Sequence, residues 1–312
     1  MIEASALTKR YGDVMAVDDL TFSIRPGVVT GFLGPNGAGK TTTMKMILGL
    51  AAPTAGTVTV GGRRYLDLPA PMRHVGTLLD ARAVPASRSA TAHLLSLAQS
   101  NGIHRRRVGE VLGQVGLEKA ARRQVGTFSL GMAQRLGLAA ALLGDPEVLM
   151  LDEPINGLDP EGIVWIRTFL RKLADEGRTV FVSSHLMAEM ALTADHLVIV
   201  GRGRLIRDTS VAEFVRTSGL HSVHVRTPDP DRLVPALEAA GAVVAAVPAA
   251  DSTDDGTALT VTGLQSAAIG RLAASAGAVL YELIGRQPSL EEAFMKLTRH
   301  SVEYTATEGG TE

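Results

Sequence analysis

Residues 34 to 41 read GPNGAGKT, and this short stretch constrains the fold more than any other part of the chain. It fits the spacing G-x-x-x-x-G-K-[ST], in which glycines let successive backbone N–H groups turn inward around phosphate oxygens. The apolar stretch VVTGFL precedes it, and KTTTMKMILGL, which has helical spacing, follows it. The order strand, glycine-rich loop, helix is the start of an α/β unit. The sequence therefore predicts a phosphate-binding loop from Gly34 to Thr41.

Such a loop assigns a role to its individual residues. The helix starting near Gly39 adds its positive N-terminal end to the phosphate site. Lys40 is expected to reach the β- and γ-phosphates, and the Thr41 hydroxyl to ligate Mg²⁺. The predicted ATP-binding residues of this segment are Gly34, Pro35, Asn36, Gly37, Ala38, Gly39, Lys40, Thr41 and Thr42.

Two later strands end in side chains that suit a phosphate site. VLMLDE at 148–153 predicts a buried strand with Asp152 at its C-terminal end, where ligands bind in open α/β sheets. Asp152 is expected to hold Mg²⁺, and Glu153 to orient the water that attacks the γ-phosphate. His185 follows the strand TVFVSS, and we expect it to contact the γ-phosphate. Glu153, His185 and Lys40 are thus the predicted catalytic residues; the alternatives are a carboxylate pair that only caps a turn and an ordinary surface histidine.

Hydrophobic patterns divide the chain into two folded parts. Residues 1–215 read as a domain that carries the phosphate loop and in which apolar strands alternate with helices, indicating a parallel sheet covered on both faces. A helical subdomain from about 85 to 145 interrupts it, and HLVIV with GRLIRD closes it as a hairpin. The expected fold class is therefore α/β, with a P-loop NTPase core that contains a helical subdomain.

Residues 216–300 predict a separate accessory or regulatory α+β domain of ferredoxin-like type. A final helix, PSLEEAFMKLTR, has Ser289 as its expected N-cap, and the acidic tail 301–312 is expected to be disordered. The domain's predicted elements are strand 222–226, helix 230–240, strand 242–247, strand 257–262, helix 264–275 and strand 278–284.

Composition narrows the possible functions. The 312 residues contain 31 Lys and Arg against 32 Asp and Glu, a balance that argues against a dedicated nucleic-acid binder. The basic run HRRR at 104–107 is read as a solvated helix face. The absence of cysteine excludes disulfides and Cys-ligated metals. No apolar run approaches the ~18 residues that cross a bilayer, so we expect a chain that is soluble by itself and docks on a membrane partner.

The motifs, taken as a set, resemble those of one family. The phosphate loop, FSLGMAQR at 128–135, VLMLDEP, NGLD and SSH stand in the order found in the ATP-binding subunit of ABC transporters, and the resemblance covers residues 1 to about 215. It implies that Ser129 and Gly131 cap the γ-phosphate bound to the other subunit. It also implies that Asp159 links the two sites across a dimer and that Tyr11 stacks on adenine. The alternative for Tyr11 is an exposed strand-end tyrosine.

Two positions depart from the family's pattern. The family usually has Gly-Gly after the serine of its signature, and here Leu130 replaces the first glycine while Met132 follows the second. The family usually has glutamine at the end of the stretch VGTLLD, and here Asp80 stands in its place. A carboxylate is a better metal ligand than an amide but is charged and shorter, so a role for Asp80 as a Mg²⁺ ligand is left open.

The resemblance implies an ATPase that is the motor subunit of a membrane exporter of drugs, antibiotics or lipophilic compounds, similar to the daunorubicin- and bacitracin-resistance types. Its cofactors would be ATP and Mg²⁺. Its partners would be a separate membrane-spanning permease and a second ATPase subunit, identical or different, with no nucleic acid. It would lie on the cytoplasmic side of the cell membrane, peripheral through the permease. The alternatives are an importer motor and a soluble ABC ATPase of DNA repair or translation.

Overall fold

The computed structural model describes residues 1–81, 83–217, 222–247, 256–286 and 290–298. Ser289 and the tail 301–312, on which two of the predictions fall, lie outside the described residues. Residues 1–211 form one compact unit and residues 212–297 form a second. None of the described helices combines the length and apolar composition that spanning a bilayer requires.

Strands and helices alternate along most of the chain. The strands are β1 (Ile2–Tyr11), β2 (Val14–Ile24), β3 (Val29–Leu33), β4 (Ala55–Val60), β5 (Val75–Leu78), β6 (Val148–Asp152), β7 (Thr179–Ser184), β8 (His196–Gly201), β9 (Arg204–Ser210), β10 (Ser222–Thr227), β11 (Val243–Ala246), β12 (Thr257–Thr262) and β13 (Glu282–Arg286). The helices are α1 (Lys40–Ile47), α2 (Ala90–Ser100), α3 (Arg106–Gln114), α4 (Leu130–Leu142), α5 (Pro160–Asp175), α6 (Met187–Thr193), α7 (Val211–Thr217), α8 (Pro230–Ala239), α9 (Ser266–Ala276) and α10 (Leu290–Thr298).

A six-stranded sheet forms the centre of the first unit, in the order β5-β6-β7-β3-β8-β9. Its pairs are parallel except for the hairpin between β8 and β9, which is antiparallel. Strands β3 and β7 are buried at every position, as expected when both faces of a parallel sheet are covered. The predicted parallel sheet and its closing hairpin are both present.

A three-stranded antiparallel sheet, in the order β2-β1-β4, adds a second layer to this unit. The sequence did not predict β1, because the pairing of β1 with β2 shifts register between Ala4 and Leu7 and the strand lacks a regular alternation of buried and exposed residues. Phe22 on β2 packs against Phe32 and Phe181 of the parallel sheet, with ring centroids 5.8 and 6.1 Å away. These rings form part of the buried core that joins the two sheets.

Helices α2, α3 and α4 lie between β5 and β6 in the sequence, inside the region predicted to be a helical subdomain. The side chain of Ser89 caps α2 by accepting a hydrogen bond from Ala92 N, and Ser129 caps α4 in the same way through Met132 N. In the basic run, Arg106 and Arg107 both pair with Glu110, and Arg107 also pairs with Asp145. These two arginines are therefore engaged within the protein.

The second unit contains an antiparallel four-stranded sheet in the order β11-β12-β10-β13. Its elements follow one another as β-α-β-β-α-β, and Val225, Leu233, Val261 and Ile269 are among its fully buried core residues. The predicted last strand, 278–284, is wrong at its start, since β13 begins at Glu282. The Asp229 carboxylate accepts a hydrogen bond from Val279 N, and the Thr227 hydroxyl donates one to Val279 O, so side chains hold this backbone outside the sheet.

Candidate active site

The strand order brings the predicted site residues to one edge of the parallel sheet. Strand β7 lies between β3 and β6, with Ser184 opposite Leu33 and Ser183 opposite Asp152. Parallel strands have their carboxyl ends at the same edge, where ligands of α/β proteins bind. The loop after β3, Asp152 at the end of β6 and His185 after β7 therefore emerge together.

The phosphate loop surrounds a pocket at this edge. Gly39 has a φ of 95° and directly precedes α1, and a Cβ atom at this position would lie 2.5 Å from the carbonyl oxygen of Ala16. Both the left-handed backbone and the close approach require glycine here. The pocket has a volume of about 360 Å³ and is lined by Ala16, Asn36, Gly37, Ala38, Gly39, Lys40, Thr41, Thr42, Leu79, Asp152 and Glu153.

Lys40 is buried beside this pocket. Its Nζ donates hydrogen bonds to the carbonyl oxygens of Gly34, at 2.6 Å, and Pro35, at 3.1 Å. Burial lowers the pKa of Lys40, and the nearby carboxylates of Glu153 and Asp152 act in the opposite direction. A phosphate anion in the pocket would supply the negative charge that stabilises the protonated lysine.

Thr41 and Asp152 meet across the pocket. The Thr41 hydroxyl donates a 2.8 Å hydrogen bond to Asp152 Oδ2, and the Ser183 hydroxyl donates to the other carboxylate oxygen. Hydroxyl and carboxylate oxygens are the hard ligands that suit Mg²⁺, which usually takes few protein ligands and completes its shell with water and substrate phosphate. Among the described residues no group of three or more His, Asp or Glu side chains could hold a metal. The donors present therefore fit a nucleotide-bound Mg²⁺ rather than an all-protein metal site.

Glu153 is held in an unusual backbone conformation. Its φ is 49°, and its N–H group contacts both the carbonyl oxygen of Ser183, at 3.2 Å, and the Ser183 hydroxyl, at 3.0 Å. Non-glycine residues rarely adopt this region, and such strain concentrates at functional sites. The Glu153 carboxylate lies 2.9 Å from His185 Nδ1, and the His185 side chain is 44% exposed. Two of the three predicted catalytic residues thus contact each other, and of these two Glu153 lines the pocket while His185 does not.

Tyr11 lies at the end of β1 and is not among the residues that line the pocket. The Lys9 ammonium is 4.8 Å from the centre of the Tyr11 ring and donates a 2.7 Å hydrogen bond to the carbonyl oxygen of Ala52. The tyrosine is 49% exposed. A tethered cation therefore orients a ring that still presents much of its surface, and the role of Tyr11 in stacking stays a prediction.

The residues predicted to act on the other subunit lie outside the pocket lining. The exposed Ser129 caps α4, and the exposed Asp159 caps α5 by accepting a 2.9 Å hydrogen bond from Gly162 N. Neither cap was predicted from the sequence. Asp80 is exposed beyond the end of β5, and its neighbour Leu79 lines the pocket instead.

Two lining residues, Ala16 and Leu79, were missing from the sequence-based set. Ala16 belongs to β2 and comes to the pocket only through the pairing of tertiary elements. Its small apolar side chain carries no chemical signal that would identify it in a sequence.

The loop, the lysine and the two carboxylates at the edge of a parallel sheet define a P-loop type of nucleotide-binding core. A family model described as ABC transporter matches residues 17–156, and another, described as a domain of unknown function, matches residues 221–291. The bacitracin transport ATP-binding protein BcrA of Bacillus licheniformis is 43% identical over 211 residues, covering 67% of this chain and 69% of that protein. The chain belongs to the ABC transporter family, as one of its ATP-hydrolysing subunits.

Two further similarities extend this result. The Nod factor export ATP-binding protein I of Burkholderia orbicola (strain AU 1054) is 37% identical over 249 residues, covering 76% of this chain and 80% of that protein. A dimeric structure of a bacterial ABC transporter cassette superposes with a TM-score of 0.62 at 26% identity, covering 68% of this chain and 99% of the cassette.

Proposed function

We propose that this chain binds MgATP in the 360 Å³ pocket and hydrolyses it as the motor subunit of an exporter of drugs, antibiotics or lipophilic compounds. One observation carries the proposal: the Thr41 hydroxyl meets Asp152 at 2.8 Å, although 111 positions separate the two residues in the sequence. Lys40 and Glu153 line the same pocket. The fold thus brings together a phosphate cradle and a carboxylate pair.

Each group at the pocket has a chemical role in this proposal. Backbone N–H groups of the loop and the buried Lys40 hold the phosphates, and Thr41 and Asp152 would hold Mg²⁺. When bound, Mg²⁺ neutralises charge on the β- and γ-phosphate oxygens. The Glu153 carboxylate orients the attacking water, and His185 fixes that carboxylate through the 2.9 Å contact and reaches toward the γ-phosphate.

The active form in this proposal is a dimer that binds ATP between its subunits. Ser129, Gly131 and Asp159 lie outside the pocket of their own chain, which supports a role at the site of the other subunit. The start of α4 offers backbone N–H groups to an anion. The similar cassette of known structure is dimeric. We favour two copies of this chain, with a second, different ATPase chain as the alternative.

Export as the direction of transport is supported by the relatives, whose names describe bacitracin transport and Nod factor export. The permease in this proposal is a separate membrane-spanning subunit, which holds the chain at the cytoplasmic side of the membrane. Nucleic acid is not a partner, in keeping with the near-zero net charge and the paired Arg106 and Arg107. Tyr11 stacks on adenine, and Asp80 stays a candidate Mg²⁺ ligand.

The second unit serves the ATPase as a regulatory or dimer-supporting domain. Its β-α-β-β-α-β order and antiparallel sheet support a ferredoxin-like fold. The proposed division of the chain is an ATP-binding domain at 1–215, this accessory domain at 216–300 and a short tail at 301–312.

Replacing Glu153 tests the proposed chemistry. Glu153→Gln should lower the hydrolysis rate by about 10²–10⁴, since it removes a positioned base, while ATP binding persists because Lys40, Thr41 and Asp152 are intact. Phosphate release and equilibrium binding of ATP measure the two quantities. Glu3→Gln, the same change at an exposed position of β1, is the matched control and should leave both unchanged. Hydrolysis by Glu153→Gln at the wild-type rate would refute the assignment.

A further inference from the structure

Two leucine–glycine pairs pack against each other beside the active site, and the leucine comes first in one pair and second in the other. Leu130–Gly131 begins α4, and Gly157–Leu158 lies in the loop that follows β6. A Cβ atom on Gly157 would lie 1.9 Å from Leu130 Cδ2, and one on Gly131 would lie 3.4 Å from Leu158 Cδ2. Each leucine therefore rests on the glycine of the other pair.

A hydrogen bond fastens the same two segments. The buried Gln134, one turn further along α4, donates from Nε2 to the carbonyl oxygen of Asn156 at 3.3 Å. Within the loop, Asn156 N donates to the Glu153 carbonyl oxygen and Leu158 N donates to the Ile155 carbonyl oxygen, both at 3.2 Å. The loop from Glu153 to Asp159 is thus a turned segment that packs on the first turns of α4.

The contact between Leu130 and Gly157 leaves no space for a larger residue at position 157. Gly157 has a φ of 75°, which favours glycine, and the Leu130 side chain fills the space that a side chain on Gly157 would need. Leucine in place of the glycine that is usual at position 130 supplies this contact. Leu130 and Leu158 are half-buried and Gly157 is exposed, so the contact lies near the protein surface. The close approach of Leu130 to Gly157 means that a movement of one segment displaces the other.

We propose that Leu130 is a positioning residue for ATP hydrolysis. Its contact with Gly157 fixes the start of α4, which carries Ser129, relative to the loop that carries Glu153. This inference rests on the proposed function, in which Ser129 caps the nucleotide of the other subunit and Glu153 orients water at its own site. A nucleotide that binds to the start of α4 then affects the position of the Glu153 carboxylate in the same chain, and the two sites of a dimer become coupled.

Leu130→Ala removes the contact but keeps a strong helix former at the first position of α4. We expect kcat to fall by about 10- to 100-fold, since small displacements of reacting groups have effects of this size. The Hill coefficient for ATP should fall from above 1 to about 1, because the sites become independent. ATP affinity of the isolated chain should stay within about twofold, as the phosphate loop is untouched. Leu130→Met conserves volume and should retain both kcat and the Hill coefficient.

The matched control is Leu192→Ala, the same change at a leucine that is 53% exposed on α6. The proposal would be overturned if Leu130→Ala kept the wild-type kcat and Hill coefficient. It would also be overturned if kcat fell while the Hill coefficient stayed unchanged, because Leu130 would then have a purely structural role. A wild-type Hill coefficient of 1 would also overturn it. Failure of the proposed function can be told apart from failure of this inference, because Glu153→Gln would then hydrolyse ATP normally, whatever the result for Leu130→Ala.

A second variant tests the contact itself. In an otherwise wild-type chain, the new Cβ atom of Gly157→Ala would lie 1.9 Å from Leu130 Cδ2 and 2.7 Å from Leu130 Cγ. Leu130→Ala removes both of these atoms and leaves the Cβ atom of residue 130, at 3.5 Å, as the nearest neighbour. Gly157→Ala should therefore reduce kcat by at least about tenfold more in the wild-type chain than in that background. Equal reductions in the two backgrounds would show that the two residues act independently and would overturn the proposal.

Discussion

Lys40 shows how one residue can be unfavourable for the fold and necessary for the site. Burial lowers its pKa, so the protonated form is disfavoured in the folded chain, even though two carbonyl oxygens accept its hydrogen bonds. A bound anionic ligand would instead favour the protonated form of Lys40 in the folded chain. The residue is therefore a functional feature that folding alone does not explain.

Because the pKa of Lys40 is lowered in the folded chain, the effect of Lys40→Met on stability should depend on pH. Without nucleotide, Lys40 has the ordinary pKa of 10.5 in the unfolded chain and a lower pKa in the folded chain. Between these two pKa values the unfolded chain binds more protons than the folded chain, so the free energy of unfolding of the wild type increases as the pH rises through that window. Lys40→Met should lack this increase and should also lose the stabilisation that MgATP gives. Thermal unfolding against pH, with and without MgATP, measures both. MgATP stabilising the variant as much as the wild type would contradict the role of Lys40.

At the scale of elements, the residues that begin two helices have both a structural role and a proposed functional role. Ser129 and Asp159 each cap a helix with the side chain that the proposed dimer would use. The sequence indicated only the second role, because the family resemblance of FSLGMAQR and NGLD concerns phosphate and dimer contacts. A substitution that removes the capping oxygen of either residue therefore changes helix stability together with any effect on hydrolysis.

Two variants of Asp159 separate the roles. Asparagine caps helices about as well as aspartate, so Asp159→Asn should keep stability while it removes the charge. Asp159→Ala should lose the hydrogen bond to Gly162 N and about 1 kcal/mol, seen as a fall in Tm of about 2–4 °C. If the charge acts across the dimer, both variants should lower hydrolysis to a similar extent. Normal hydrolysis by Asp159→Asn would leave Asp159 with the capping role alone.

At the scale of the whole molecule, the sequence predicted those parts that depend on local pattern. Strand β6 is a continuous apolar run up to Asp152, β3 and β7 are short and largely apolar, and GPNGAGKT has a conformation that its glycines dictate. Strand β1 escaped prediction because its irregular pairing hides the usual alternation. Ala16 and the contact between Leu130 and Gly157 escaped because they depend on segments that meet only in the folded chain.

In the proposed function, the pocket beside Lys40 is one half of a composite site shared by two copies of the chain. The most direct test is the mass of Glu153→Gln by light scattering, since blocked hydrolysis should preserve the ATP-bound state. We expect the mass of a single chain without nucleotide and twice that mass with MgATP. Adding Lys40→Met should keep the protein at the mass of one chain in both conditions. A Glu153→Gln protein that binds ATP and keeps the mass of a single chain would contradict the claim.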